Sequence, residues 1–240
     1  DIASKIPGTW LGISKNENCI RIGNLLNVTG EQPRGVRSRG SLVLDFIKTS
    51  EGIEDHNQKL LKDFKEINNF TFLSIEIQGR EIKIFDACNV TEDIQKIPDG
   101  KNPQNPQILL KLAFSAIFGV SNSPFNSPYL KVTTGTQQFR KIIESHLACN
   151  KENFVNSLMN FLKSSTKHRP CAELSKRRPL DEEIFSSIHV DYASAQYGSR
   201  NRSVILVDHD DNVDYVEERM IRENDKWERK WLKMGNKLKA

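Results

Sequence analysis

Two asparagines and one arginine stand at the ends of apolar segments, where a protein core would favour apolar side chains. Asn27 lies in the apolar run 19–28, Asn122 follows another apolar stretch, and Arg200 precedes the β-branched run 203–207. Buried amides and guanidinium groups need hydrogen-bond partners, and three such groups that converge would bind an oxyanion or a carboxylate. The alternative is that the three residues make unrelated structural hydrogen bonds, and their spacing does not decide between the two.

A second group of candidates surrounds Arg200. Tyr197 lies three residues before it, and an arginine close to a buried strand usually holds an anion or a carboxylate. We therefore predict a ligand pocket that contains Tyr197 and Arg200, with Arg37 and Arg39 of the loop 30–40 as further cations. A solvated loop arginine is the alternative interpretation of Arg200.

Neither the five histidines nor the four cysteines show the spacing of a metal site. If the chain ligates a haem iron, His168 and Cys171 are the first candidates and His189 is the next. An ordinary surface or core residue is the alternative interpretation, and the absence of paired spacing favours it. The cysteines lie far apart and form no CxxC motif, which favours free thiols in a reducing compartment.

Composition limits the class of protein. The chain has 240 residues, 37% of them hydrophobic, and a net charge of +4, which favours one globular domain over residues 1–240. This mild basicity permits an anionic ligand or a membrane surface and does not require nucleic acid, so we predict no nucleic-acid partner. No apolar run is long enough to cross a bilayer, and the first residues lack the layout of a secretory signal.

Hydrophobic periodicity predicts the elements that must position these residues. Antiparallel hairpins at both ends with helices between them favour the α+β class. Residues 89–105 and the basic segment 164–179 lack a core pattern and are predicted to be mobile connections. Residues 221–240 are predicted to be a charged tail, in which Trp227 and Trp231 would share one face of a helix. The predicted strands are 9–13, 19–28, 70–77, 81–88, 108–120, 190–197 and 203–207, and the predicted helices are 41–49, 54–67, 127–147, 152–163 and 181–187. The turn formers at 208–212 and the strand-like residues Val213, Tyr215 and Val216 predict that the strand 203–207 belongs to a hairpin.

An ordered series of motifs extends over nearly the whole chain. It consists of GTWLGIS (8–14), LLNV (25–28), RSRGSLVLDFI (37–47), GVSNSPFNSPYLKVTTG (119–135), YGSRNRSVILVD (197–208) and VEERM (216–220). In this order the motifs resemble the transport and Golgi organisation protein 2 family, which is also called the NRDE family.

The resemblance implies an N-terminal-nucleophile-hydrolase-like fold, a four-layer αββα sandwich. By motif order, Asn27, Asn122 and Arg200 fall where two asparagines and an arginine line the site of enzymes of that fold with a Cys nucleophile. Family members open with a cysteine and later carry an Asn-Arg-Asp-Glu stretch, whereas this sequence begins at Asp1 shortly before residues 8–14. We therefore expect a sandwich that lacks its first strands and no hydrolysis by this chain, since acyl transfer needs an attacking group.

The resemblance also implies roles in haem trafficking, in Golgi organisation and secretion, and in mitochondrial lipid and acyl-coenzyme A metabolism. We expect a non-enzymatic factor in the cytoplasm, in mitochondria or at the Golgi, with haem as transported cargo. An apolar cleft edged by Arg and Lys would suit haem, with its two propionates, or another anionic apolar small molecule. One alternative is an amidase-type hydrolase of the same fold, which would need a terminal Cys. The other is a Golgi organisation and lipid-homeostasis factor whose basic residues 163–178 contact a membrane surface.

Overall fold

Helices and antiparallel sheets make up the protein, which confirms the predicted α+β class. The structure is a computed structural model that describes residues 8–29, 37–97, 117–146, 149–221 and 226–235. The chain divides into two compact units, Asp1–Pro128 and Tyr129–Ala240. That residues 1–240 act as a single domain stays a prediction.

The first unit is built on a five-stranded antiparallel sheet with its strands in sequence order. Alternating side chains predicted four of these strands within a few residues, because strands present successive side chains to opposite faces. The fifth strand lies inside the segment 89–105, so the prediction of a mobile connection was wrong there. The strands are β1 (Leu11–Lys15), β2 (Ile20–Asn27), β3 (Phe70–Gln78), β4 (Glu81–Cys88) and β5 (Asp93–Ile97).

Two helices, α1 (Ser41–Lys48) and α2 (Ile53–Asp63), cover one face of this sheet, and a 3₁₀ turn, Phe64–Glu66, follows α2. Phe46 of α1 is completely buried and meets Phe72 of β3 edge to face, with ring centroids 5.9 Å apart. A buried ion pair links β2 and β3, and its arginine also contacts the residue that follows α1. Arg21 Nη2 lies 2.8 Å from Glu76 Oε2, and the guanidinium also donates to the carbonyl of Thr49 just after α1.

The second unit packs two helices on a three-stranded antiparallel sheet of order β10-β9-β8. Val155, Leu158 and Met159 of α4 are buried against Val204 and Val216 of the sheet. A two-stranded ribbon, β6-β7, and two short helices complete the unit. The helices are α3 (Leu130–Ser145), α4 (Lys151–Leu162), α5 (Ala172–Arg177) and α6 (Glu182–Phe185), and the strands are β6 (Asp191–Tyr192), β7 (Tyr197–Gly198), β8 (Asn201–Val207), β9 (Val213–Ile221) and β10 (Lys226–Met234).

Three further segments of the second unit differ from the sequence predictions. The segment 164–179 contains α5, and two side chains of this segment, Cys171 and Leu174, are buried. The prediction that this segment is a mobile loop was therefore wrong. Residues 190–197 hold only the short strand β6 and a 3₁₀ turn before β7 begins. Lys226–Met234, within the predicted charged tail, form β10, where Trp227 and Trp231 share a strand face instead of a helix face.

The predicted strand 108–120 lies outside the described residues except for residues 117–120, which form no strand. None of the described helices has the length and apolar character needed to cross a bilayer.

Candidate functional site

A cavity of about 650 Å³ in the second unit brings together three of the predicted site residues, His189, Tyr197 and Arg200. Its volume falls in the range of about 300–1,000 Å³ that is usual for small-molecule sites. The other lining residues are Val190, Asp191, Ala193, Gln196, Gly198, Ser199 and Met220.

The ribbon β6-β7 forms one wall of the cavity. Ser199 N–H donates to the Val190 carbonyl at 2.8 Å, and Val190 N–H donates to the Ser199 hydroxyl at 3.0 Å. A side chain at Gly198 would place its Cβ 2.7 Å from the Val190 carbonyl oxygen, so only glycine allows this close approach. Gln196 takes the left-handed conformation, with φ of 51°, at the turn that leads into β7.

Arg200 offers an uncompensated cation at the cavity. Its Nη2 donates to the Gln196 carbonyl at 2.6 Å, and among the described residues it has no carboxylate partner, although Asp191 lines the same cavity. Tyr197 lies next to it in the wall, with 59% of its surface exposed. The guanidinium can bind a carboxylate, and the exposed aromatic ring can stack on a planar apolar ligand.

His189 contributes an imidazole that makes no hydrogen bond to any residue in the described part of the chain, and its Nδ1 is buried. Burial lowers the pKa of His189 below its ordinary value of 6.5, and the nearby Arg202 lowers it further. The ring is therefore neutral at neutral pH. Neutral imidazole is the form that binds metal ions, including haem iron.

A buried charged network lies behind His189. The His189 ring meets the Trp227 indole with centroids 6.1 Å apart, and the guanidinium of Arg202 stacks 3.5 Å over that indole. Arg202 Nη1 also donates to Glu218 Oε2 at 3.1 Å. Glu218 is 6% exposed and binds two further cations, Arg229 at 2.8 Å and Lys163 at 3.2 Å.

Sequence reasoning missed this network, yet a usable signal was present. The predicted hairpin has a turn at 208–212, and counting back from Val207 opposite Val213 places Arg202 opposite Glu218. Opposite charges at paired positions of adjacent strands indicate an ion pair.

Asn27 and Asn122 are direct neighbours in the first unit. Asn122 Nδ2 donates to the Asn27 carbonyl at 2.8 Å, and Thr29 N–H donates to the Asn122 carbonyl at 3.1 Å. Asn27 Oδ1 is buried and has no hydrogen-bond partner among the described residues. The convergence of both asparagines with Arg200, which belongs to the second unit, stays a prediction.

Arg37 and Arg39 bind groups of the first unit. Arg37 forms ion pairs with Asp45 of α1, at 2.9 Å, and with Asp63 at the end of α2. Arg39 donates to the Asn69 carbonyl at 2.9 Å, and burial lowers its pKa. Both side chains therefore hold loops and helices together, and their role toward a ligand stays a prediction.

His168 and Cys171 do not line the cavity. They are 8% and 6% exposed, and the Cys171 Sγ accepts a hydrogen bond from the Leu130 N–H at 3.3 Å. Cys171 packs with Tyr129 and Leu174 in a small apolar cluster. Of the three proposed iron ligands, only His189 lies at the cavity. In the ranges that the structure describes, no three His, Cys, Asp or Glu side chains form a metal cluster.

Comparison with known proteins gives a consistent result. The sequence profile described as Transport and Golgi organisation 2 matches residues 1–222. Transport and Golgi organization protein 2 of Drosophila melanogaster is 33% identical over 221 residues, which are 89% of this chain and 72% of that protein. The Mus musculus homologue is 25% identical over 233 residues, 93% of this chain and 76% of its own. The Homo sapiens homologue is 24% identical over 225 residues, 90% of this chain and 74% of its own.

Proposed function

Because the chain belongs to the Transport and Golgi organisation 2 family, we propose that it is a non-enzymatic factor that binds haem reversibly and moves it between compartments. The observation that carries the proposal is the placement of Arg200, Tyr197 and His189 around one cavity. These side chains match the three parts of haem, which are propionate, planar apolar ring and iron.

The expected affinity follows from these contacts. A charge-assisted hydrogen bond between Arg200 and a propionate is worth roughly 1.5–3 kcal/mol. Burial of the ring against Tyr197 adds apolar area at roughly 25 cal/mol per Å². After the cost of immobilising the ligand, an affinity of about micromolar is reasonable, which suits a carrier that must release its cargo.

His189 is the axial ligand that we favour over His168 and Cys171. It lies at the cavity and is neutral, and its ring has no competing hydrogen bond among the described residues. His168 and Cys171 are buried away from the cavity lining. One axial nitrogen, without a covalent CxxCH attachment, fits reversible binding.

The cellular role is proposed from the relatives. The Drosophila melanogaster protein is named for transport and Golgi organization. We propose a corresponding role for this chain in Golgi organisation and secretion, acting from the cytoplasm or at the Golgi, with mitochondria and lipid homeostasis as further settings. The alternative cargo is another anionic apolar small molecule.

The finer fold assignment is part of the same proposal. We propose the αββα sandwich of the N-terminal-nucleophile hydrolases. What supports it is that each unit, taken by itself, is a sheet with helices on one face, which is half of such a sandwich.

A haem titration followed by absorbance tests the binding proposal. The wild type should show a saturable shift of the Soret band. Arg200→Ala should weaken binding about tenfold or more, because a charge-assisted bond is lost, and His189→Ala should change the position of the band. Matched controls are Arg219→Ala and His209→Ala, both exposed residues of the same unit, which should bind as the wild type does.

Two further variants compare the ligand candidates. His168→Ala and Cys171→Ala should keep the wild-type spectrum. Absence of any Soret shift in the wild type would end the haem proposal. A shift that survives both His189→Ala and Arg200→Ala would keep haem as the ligand and reject this cavity as its site.

A further inference from the structure

Two lysines converge on one buried serine in the second unit. Lys131, the second residue of α3, donates from Nζ to the Ser187 carbonyl at 3.1 Å. Lys167 Nζ lies 3.4 Å from the Ser187 hydroxyl. Ser187 itself is completely buried, and the two ammonium groups contact different oxygens of this one residue.

Neither lysine has a carboxylate partner among the described residues, and the two glutamates of α6, which precede Ser187 in the sequence, have other partners. Glu182 accepts from the Cys171 N–H at 2.7 Å, and Glu183 pairs with Arg169 at 2.5 Å. Burial lowers the pKa of Lys131 to about 8. Cys171 raises this pKa by a smaller amount, and Lys167 lowers it further. A lowered lysine pKa means that the charged form lacks the stabilisation that a counter-ion would provide.

A third polar group at the same turn has an unused atom. His168 follows Lys167, and its backbone N–H donates to the Ser186 carbonyl at 3.2 Å. The side chain is only 8% exposed, and its Nε2 is buried with no hydrogen-bond partner in the described ranges. A buried polar atom without a partner is costly and indicates a group that a ligand can satisfy.

We propose that Lys131, Lys167 and His168 form a binding site for a phosphate group. Two ammonium groups match the two negative charges of a phosphate monoester, and the imidazole Nε2 can complete its hydrogen bonds. The bound anion supplies the counter-charge that both lysines lack. None of the three residues lines the haem cavity, so this site stands independently of the proposed function.

Titration with inorganic phosphate at constant ionic strength tests the site. The side-chain NMR signals of Lys131 and Lys167 should shift in a saturable way, and the pKa of Lys131 should rise when phosphate is bound. Lys131→Gln and Lys167→Gln should each weaken phosphate binding about tenfold or more, because each removes one charge-assisted bond. Lys141→Gln, an exposed lysine on the same helix α3, is the matched control and should leave binding unchanged.

The exposed position of Lys167 makes its substitution safe for folding, so that variant keeps the test valid if Lys131→Gln is unstable. No saturable shift in the wild type, or equal phosphate affinity in Lys167→Gln and Lys141→Gln, would overturn the proposal. Acetate binding as tight as phosphate would overturn the assignment to phosphate. Co-sedimentation with phosphatidylcholine vesicles, with and without phosphatidic acid, distinguishes a lipid phosphate from a soluble one. If the protein sediments with the vesicles only when phosphatidic acid and both lysines are present, the ligand is a lipid headgroup. If the protein binds inorganic phosphate but does not sediment with these vesicles, the ligand is a soluble phosphate ester.

Discussion

Asp86 in β4 is a carboxylate buried in the sheet of the first unit, and its replacement by asparagine should stabilise the protein above neutral pH. The side chain is 2% exposed, and its Oδ1 has no hydrogen-bond partner among the described residues. Burial raises the pKa of Asp86 from 3.8 to about 7, with a smaller contribution from Asp93. The native state therefore holds a proton that the unfolded chain releases at much lower pH.

The sign and size of the effect follow from this difference. Between the ordinary pKa of 3.8 and the native value of about 7, the native state binds more protons than the unfolded state, so stability falls as pH rises. A difference of about three pKa units at about 1.36 kcal/mol per unit gives a loss of at most about 4 kcal/mol at pH 8. Asparagine resembles the protonated carboxyl in shape and carries no charge, so Asp86→Asn should remove this loss.

Urea unfolding followed by circular dichroism measures the difference between the two proteins at each pH. We expect Asp86→Asn to match the wild type near pH 4 and to exceed its free energy of unfolding by up to about 4 kcal/mol near pH 8. Asp55→Asn, on the exposed side of α2, is the matched control and should change stability little at either pH. A free-energy difference for Asp86→Asn that is independent of pH, or a loss of stability at pH 8, would refute the reasoning.

Three other substitutions probe the packing around the site and the core. Glu218→Gln leaves Arg202 without its buried counter-charge and should lower the free energy of unfolding in urea by roughly 3–5 kcal/mol. A decrease below about 1 kcal/mol would mean that solvent already screens these charges. Gly198→Ala forces a Cβ against the Val190 carbonyl and should cost roughly 1–3 kcal/mol, with weaker haem binding in the absorbance titration; wild-type affinity would contradict the close approach. Phe46→Ala empties a completely buried position and should cost roughly 3–5 kcal/mol in the same unfolding assay, unless the first unit repacks around the gap.

Local patterns predicted most strands and the longer helices. The β8–β9 hairpin is the clearest case, because a β-branched run, a cluster of turn formers and a second apolar run define both strands and their register. Helical spacing of apolar residues likewise predicted α1, since Leu42, Val43 and Phe46 all face the core. These patterns depend on periods of 2.0 and 3.6 residues, which the backbone geometry imposes without reference to the rest of the chain.

The site could be predicted in part. Tyr197 and Arg200 were identified because a flexible glycine and an arginine precede a buried strand, and both line the cavity. The sequence alone favours His168 and Cys171 over His189 as iron ligands, because residue spacing shows neither which side chains are buried nor which of them reaches a cavity. The sequence also could not show that Arg37 forms ion pairs with Asp45 and Asp63, because these two carboxylates belong to different helices, α1 and α2.

The α+β class, the strand and helix periodicities and the family follow from the amino-acid sequence alone. The folded protein was needed to show that Lys226–Met234 form a strand and that Lys131 and Lys167 both contact Ser187. Trp227 and Trp231 illustrate the reason, because a spacing of four residues places two side chains on one face of a helix and equally of a strand. The partner strand decides between the two. β9 pairs with β8 on one side, and without β10 the backbone donors and acceptors on its other side would lack strand partners.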